Sequence, residues 1–358
     1  MKAFNSEITS PIMKPMALSR LVMLALTLLV SPAWTYAASP DVGDDKASAI
    51  KGTQKVAIAE FGVEFYTQMG GGSNQSGTTA FMTSTLRGVA DSDFQTIADQ
   101  AYADTVAALK EAGFEVLDPA VLMADPGYQE LAKKYGNDAP YNISDSTFGK
   151  GDPWLSKIFT SQGLKAFYSG SNKTNRGTFG QRFDAQNQGR GAKEGEVAKS
   201  LGATLLHVHY IMGFATIKDH GHKVLFSTGG AKVKSDWGGN LSAQDTEWQF
   251  VTDSGARTFT TSTRPRHSGA VYLEAPLQGD ESIYTGTETT SGEQKRSDGV
   301  ANAIGMTMGL LLGNSSIDST KKKTYDVTVS SAEAYRKDAG QLITATSTAF
   351  AKALGAAK

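Results

Sequence analysis

Four of the five histidines lie in one stretch of the chain, as the pairs His207-x-His209 and His220-x-His222. Residues two apart on a β-strand point to the same face, so each pair alone could chelate a metal such as zinc. A turn at Asp219-His220 would separate the two pairs by roughly 30 Å of strand. We therefore interpret these histidines as occupying a strand and a hairpin tip. The alternative is a hydrolase or metal-binding protein that uses all four.

The segment Asn172–Arg190 is rich in Arg, Asn, Gln and aromatic side chains. It offers only two large apolar side chains, so it can contribute little to a core. Arginine and aromatic residues carry much of the binding energy at protein interfaces. We predict that this segment is a partner-binding surface, the alternative being a plain polar loop. Its anchors would be Arg176, Phe179, Arg182, Phe183 and Arg190.

Other catalytic patterns are incomplete. Gly72-x-x-x-x-Gly77-Thr78-Thr79 resembles a phosphate-binding loop, but the lysine that should reach the phosphates is replaced by Thr78. Neither a G-x-S-x-G nucleophile elbow nor an H-E-x-x-H zinc-protease motif is present. The chain has no cysteine, which excludes a catalytic thiol and a disulfide framework. We predict a protein that is not an enzyme and that uses no cofactor and no metal.

The overall charge argues against nucleic acid as the partner. The formal net charge is −1 at pH 7, and the sequence pI is about 6.5. Nucleic-acid binders usually carry a basic excess or stripe, and here the only dense basic run is Lys321–Lys323.

The amino-terminal part has the features of a secretory signal peptide. Basic residues precede the apolar run Leu21–Val30, and small residues around Ala37 follow a Ser-Pro break. The run is too short for a membrane-spanning helix, which needs roughly 20 apolar residues. We predict removal of residues 1–37, or one residue more, and a periplasmic or secreted mature protein. Because the cysteine that lipoproteins acylate is missing, we expect no stable membrane anchor.

Hydrophobic periodicity predicts alternating strands and helices over the rest of the chain. The expected helices are Ser92 or Asp93 to Ala112, Pro126–Tyr135, and one opened by the capping box Ser330-x-x-Glu333 that runs to Leu354. A Gly-rich loop is expected over 70–77. Expected strands cover 56–65, 114–117, 204–217, 222–233, 247–252, 257–263, 269–273, 282–287 and 325–329.

These elements indicate an α+β fold. We expect a central mixed β-sheet with helices packed on one side, in a two-layer or three-layer-like arrangement, and a long polar β-hairpin region. Residues 38–53 are expected to form a flexible leader. Residues 54–358 would then form a single α/β envelope domain with an insertion at about 137–195.

Several core segments support a family resemblance. They are Lys55–Phe61, the helix end and strand Ala108–Asp118, the strand Gly202–Leu206, and a closing strand and long helix that contains Tyr335. In this order they resemble the periplasmic curli-channel (CsgG-like) and TolB amino-terminal superfamily. The resemblance implies a central sheet with helices on one side. The chain departs from it in lacking the acylation cysteine and in carrying the insertion.

We therefore expect an exported, non-enzymatic cell-envelope or secreted protein that acts by protein–protein binding or assembly. Its partners would be envelope proteins, or copies of itself in a homo-oligomer. One alternative is an oligomeric channel or membrane-associated secretion component, with hairpins supplied by Trp237–Thr290. Two parts of that region, Thr258–Arg264 and Thr285–Thr290, lack the alternating apolar pattern that a lipid-facing strand needs.

Overall fold

A mixed β-sheet with helices packed against it makes up the described part of the chain. The computed structural model describes residues 39–75, 78–145, 154–167, 190–219, 233–243, 245–253, 268–296, 298 and 319–358. These residues belong to one compact unit, Ala37–Lys358. The main α-helices within them are α1 (Asp91–Glu111), α2 (Pro119–Ala124), α3 (Pro126–Tyr135), α4 (Arg190–Leu201) and α5 (Ala332–Ala357).

The described residues of the first half of the chain form eight strands. They are β1 (Val42–Asp45), β2 (Lys55–Gln75), β3 (Thr78–Arg87), β4 (Glu115–Val116), β5 (Gly136–Asn137), β6 (Tyr141–Asp145), β7 (Trp154–Phe159) and β8 (Ala166–Phe167). The strands of the second half are β9 (Thr204–Asp219), β10 (Val233–Leu241), β11 (Glu247–Val251), β12 (Gly269–Leu273), β13 (Leu277–Gln278), β14 (Tyr284–Glu288) and β15 (Ser319–Val329).

The main strand order is β1-β12-β11-β9-β2-β3-β15-β14. Strand β2 is parallel to β9, and β3 is parallel to β15. The pairs β2–β3, β9–β11 and β14–β15 are antiparallel. The expected α+β class with a central mixed sheet is therefore confirmed.

Helices α1 and α5 pack together on one face of the sheet, because both present an apolar stripe to it. The Tyr210 hydroxyl of β9 connects them, since it lies 2.9 Å from Thr105 Oγ1 of α1 and 2.7 Å from Ser347 Oγ of α5. The neighbouring His207 points to the opposite face, where its ring meets Glu194 of α4. The helices thus cover both faces of this part of the sheet, as in the three-layer form of the expectation, whereas the expectation that helices pack on one side only is wrong.

Two segments differ from their sequence-based expectations. The supposed flexible leader contains β1, which pairs with β12, and a 3-10 helix that ends in the fully buried Ile50. The supposed Gly-rich loop continues β2 as far as Gln75, because β3 supplies a hydrogen-bonding partner along it. In both segments, polar or glycine-rich composition suggested irregular structure, but pairing with another strand satisfies the backbone hydrogen bonds.

Other expected elements are reproduced or lie outside the described ranges. The return strand of the polar hairpin is β10, paired with β9 from Val233 opposite Asp219. Most of the expected strand 222–233 and all of 257–263 lie outside those ranges. Among the described helices, none has both the length and the apolar character needed to cross a bilayer.

Candidate functional site

Three neighbouring strands carry polar side chains on the face that α4 covers. Glu60 of β2 lies opposite His207 of β9, and His207 lies opposite Gln249 of β11. The next rung on the same face pairs His209 with Glu247. Because alternate residues of a strand share a face, all five side chains point toward α4.

A β-bulge in β2 aims Glu60 at this face. The register between β2 and β9 shifts between Ile58 and Glu60, so that Glu60 rather than Ala59 lies opposite His207. The carbonyl of Ala59 accepts a 2.9 Å hydrogen bond from the Tyr128 hydroxyl of α3. Bulges commonly redirect a side chain in this way.

Three of these strand side chains and two side chains of α4 form one hydrogen-bonded group. We call this group the Glu60 cluster: Glu60, His207 and His209 from the strands, and Arg190 and Glu194 from α4. Glu60 Oε2 lies 2.9 Å from Arg190 Nη2 and 2.7 Å from His207 Nδ1, while Oε1 lies 2.8 Å from His209 Nε2. Arg190 Nε donates to Glu194 Oε1 at 2.7 Å, and His207 Nε2 lies 3.3 Å from the same oxygen. A carboxylate can only accept, so both histidines donate to Glu60.

The cluster is buried and keeps Glu60 ionised. Glu60, Arg190, Glu194 and His207 are each at most 2% exposed. Burial by itself raises the pKa of the Glu60 carboxyl, but the charge of His209, the hydrogen bonds from both histidines and the charge of Arg190 hold that pKa well below its usual range.

His209 is the member of the cluster that reaches the surface, with 17% of its side chain exposed. Burial disfavours its protonated form, but the Glu60 carboxylate outweighs burial and raises the pKa of the imidazole, with Glu247 adding to the effect. Both oxygens of Glu60 are already engaged in hydrogen bonds. The geometry is therefore that of an electrostatic anchor that joins α4 to the sheet.

Arg190 also contacts two aromatic rings. Its guanidinium carbon lies 5.1 Å from the centre of the Phe167 ring and 6.0 Å from that of Tyr135. Such cation–π contacts are most favourable when they are shielded from water. Phe167 ends β8 and Arg190 begins α4, so the described residues on either side of 168–189 meet at the cluster.

The structure corrects one of the predicted partner-binding residues. Arg190 is 2% exposed and belongs to the cluster, so it is not available on the surface. Sequence alone suggested otherwise because arginine is rarely this buried unless it is paired. The other predicted anchors, Arg176, Phe179, Arg182 and Phe183, lie outside the described residues.

The two histidine pairs have separate outcomes. His207 and His209 share a face, as their spacing predicts, and both bind Glu60. His220 and His222 lie outside the described residues. Within the ranges that are described, no three His, Cys, Asp or Glu side chains are placed to hold a metal ion.

Sequence reasoning missed the three glutamates around the histidines. Glu60 interrupts an apolar strand, and a buried carboxylate in such a run requires a charged partner. This interruption could have identified Glu60 from the sequence. Arg190 and Glu194 have the i,i+4 spacing of a helical ion pair. Glu247 is placed by its pairing with β9, which no local pattern reveals.

Comparisons of the chain with protein-family models, with curated proteins and with solved structures find no match. Fold-level resemblance by itself would not establish a function. The function is therefore argued from the residues and their geometry.

Proposed function

We propose that this chain is an exported, non-enzymatic cell-envelope or secreted protein that binds other proteins. Residues 172–189 form the binding segment, and the Glu60 cluster is the base from which it is presented. Its partners are envelope proteins, and copies of the chain itself are among the candidates. The mature protein is periplasmic or secreted.

One observation carries this proposal: the described residues that flank 168–189 are fixed to each other at a buried anchor. The Arg190 guanidinium lies over the Phe167 ring, and Arg190 is hydrogen-bonded to Glu60 and Glu194. Binding residues are commonly found on segments that a rigid scaffold positions. A fixed base lowers the ordering cost that such a segment pays when it binds.

The composition of the segment supports the same conclusion. It combines two arginines with two phenylalanines among mostly polar residues. This mixture suits an interface, because arginine and aromatic side chains supply large contact area and directed hydrogen bonds. It suits a core poorly, because each buried arginine would need its own charged partner.

The test is a variant that removes the side chains of the segment and leaves the anchor intact. In Arg176→Ala/Arg182→Ala/Phe183→Ala, we expect the free energy of unfolding to stay within about 1 kcal/mol of wild type. Crosslinking pull-downs from envelope extracts should lose specific partners of the wild-type protein. The matched control is Lys337→Ala/Arg296→Ala/Val121→Ala, which removes two exposed cations and one exposed apolar side chain elsewhere.

Two results would overturn the binding proposal. A partner list that is the same for both triple variants and wild type would remove the segment from consideration. A large loss of stability in the first variant would show that these side chains belong to the core.

Export is tested separately. Cleavage after Ala37 predicts that the exported protein begins at Ala38, or one residue later. The intact mass of the exported protein measures this directly, and a mass that still includes Leu21–Val30 would contradict it.

A further inference from the structure

A second buried carboxyl group lies far along the chain from the Glu60 cluster. Asp338, in the second turn of α5, is 7% exposed. Its Oδ1 accepts a 2.8 Å hydrogen bond from the backbone N–H of Asp280, which follows β13. Its Oδ2 is buried and has no hydrogen-bond partner in the described part of the chain.

Two glycines allow the sheet to approach this carboxyl group. A Cβ on Gly279 would lie 2.5 Å from both carboxyl oxygens, and one on Gly239 of β10 would collide with Oδ2. The same position on Gly239 lies 2.8 Å from the Tyr284 hydroxyl of β14. Gly279 N–H donates to the Gly239 carbonyl at 2.7 Å. The carboxyl group therefore fills the junction between α5, β10 and β13.

The groups that face Asp338 do not compensate its charge. Asp280 and the phenols of Tyr284 and Tyr335 lie around it, and Glu281 packs on the adjacent Gly238 of β10. Arg336, on the same helix, is paired instead with Asp93 of α1. No lysine or arginine among the described residues forms an ion pair with Asp338.

This environment favours the neutral carboxylic acid. Burial raises the pKa of Asp338 to about 6, and the Asp280 charge adds to the increase, while the bond from the Asp280 N–H opposes it. Protonation removes the charge from the buried Oδ2, which has no hydrogen-bond partner among the described residues.

We propose that Asp338 is a proton-operated latch between α5 and the β10–β13 junction. When its carboxyl group is neutral, Asp338 stabilises the closed junction. Ionisation places an uncompensated charge in it and favours local opening of residues 277–284.

The direction of the pH effect follows from linkage. In the open junction the carboxyl titrates at its ordinary pKa of about 3.9, whereas in the closed junction it titrates near 6. The stabilising contribution of the neutral acid is fully present below about pH 4 and is lost as the pH rises through 6. Between pH 5 and pH 7.5 the opening equilibrium should rise by about tenfold.

Hydrogen exchange measured by mass spectrometry, corrected for the intrinsic pH dependence of exchange, tests the latch. In wild type, peptides covering 277–284 should exchange about tenfold faster at pH 7.5 than at pH 5. Peptides covering 96–108 of α1 should not show this change. Asp338→Asn keeps an acceptor for the Asp280 N–H and should abolish the pH dependence, whereas the matched control Asp326→Asn, at a partly exposed carboxylate paired with Arg87, should retain it.

The wild-type measurement decides the proposal even if Asp338→Asn does not fold. Corrected exchange in 277–284 that does not change between pH 5 and pH 7.5 would overturn it. A pH dependence that persists unchanged in a folded Asp338→Asn protein would also overturn it, because the titrating group would then lie elsewhere.

Discussion

At the scale of single residues, Arg190 shows that burial can change the role of a side chain. Because it ends a polar segment rich in arginine and aromatic residues, we predicted from the sequence that it binds a partner. In the fold it is hydrogen-bonded to Glu60 and Glu194, and its guanidinium lies over the ring of Phe167. An arginine that is paired and shielded in this way stabilises structure instead of meeting a partner.

Arg190→Ala should therefore destabilise the protein strongly. Removing one partner of a buried ion pair typically costs about 3–5 kcal/mol, because the remaining carboxylates are left buried without compensation. Urea denaturation followed by circular dichroism measures the effect. The control Arg296→Ala, at an exposed position, should change the free energy of unfolding by less than about 0.5 kcal/mol. Equal effects of the two substitutions would show that the Glu60 cluster is not an anchor.

The sequence predicted part of this site. Two-residue spacing placed His207 and His209 on one face of a strand, and the structure confirms it. That they meet Glu60 depends on a parallel pairing and a bulge between segments about 150 residues apart. No local pattern specifies such a contact, because strand pairing is decided by the whole sheet.

At the scale of elements, the start of α5 differs by one residue from its expected position. The predicted capping box used Ser330, but the N-cap is Ser331, whose Oγ accepts the N–H of Ala334 at 3.0 Å. Ser330 instead donates its backbone N–H to the Ile283 carbonyl at 2.7 Å. Competition from this tertiary hydrogen bond explains the shift.

This difference gives a test with a built-in control. Ser331→Ala should lower the free energy of unfolding by about 1 kcal/mol, because the N–H groups of the first turn lose a side-chain acceptor. Ser330→Ala, at an exposed side chain, should leave it nearly unchanged, since its backbone bond remains. Thermal or urea unfolding of both variants measures this. A larger loss of unfolding free energy in Ser330→Ala than in Ser331→Ala would show that Ser330 is the N-cap.

Glycine-rich strands were the least predictable elements. Gly72 of β2 lies under the ring of Phe81 on β3, so that a Cβ there would be 2.7 Å from the ring. Here glycine makes room for a cross-strand aromatic side chain within a ladder that continues to Gln75. Because composition alone cannot distinguish this role from that of a flexible loop, the length of β2 could not be predicted.

At the scale of the whole molecule, the fold class was predictable but the strand order was not. Alternating apolar patterns located most helices and strands of the described core. The neighbours β3 and β15 are parallel, with Thr78 opposite Ser319, and are thus separated by more than 200 residues. Such pairings depend on the packing of the whole core. Hydrophobic periodicity reports only on local structure, so it does not predict which distant strands pair.

We propose that this chain binds protein partners through residues 172–189, the segment whose base is Arg190. The most direct measurement places a photo-reactive amino acid in turn at Phe179, Phe183 and Val121 of the exported protein in living cells. Val121 is a matched control, because it is a large apolar residue with 50% exposure on α2. We expect discrete crosslinked protein products from positions 179 and 183 that are not formed from position 121. No crosslinks at 179 and 183, or the same products from all three positions, would contradict it.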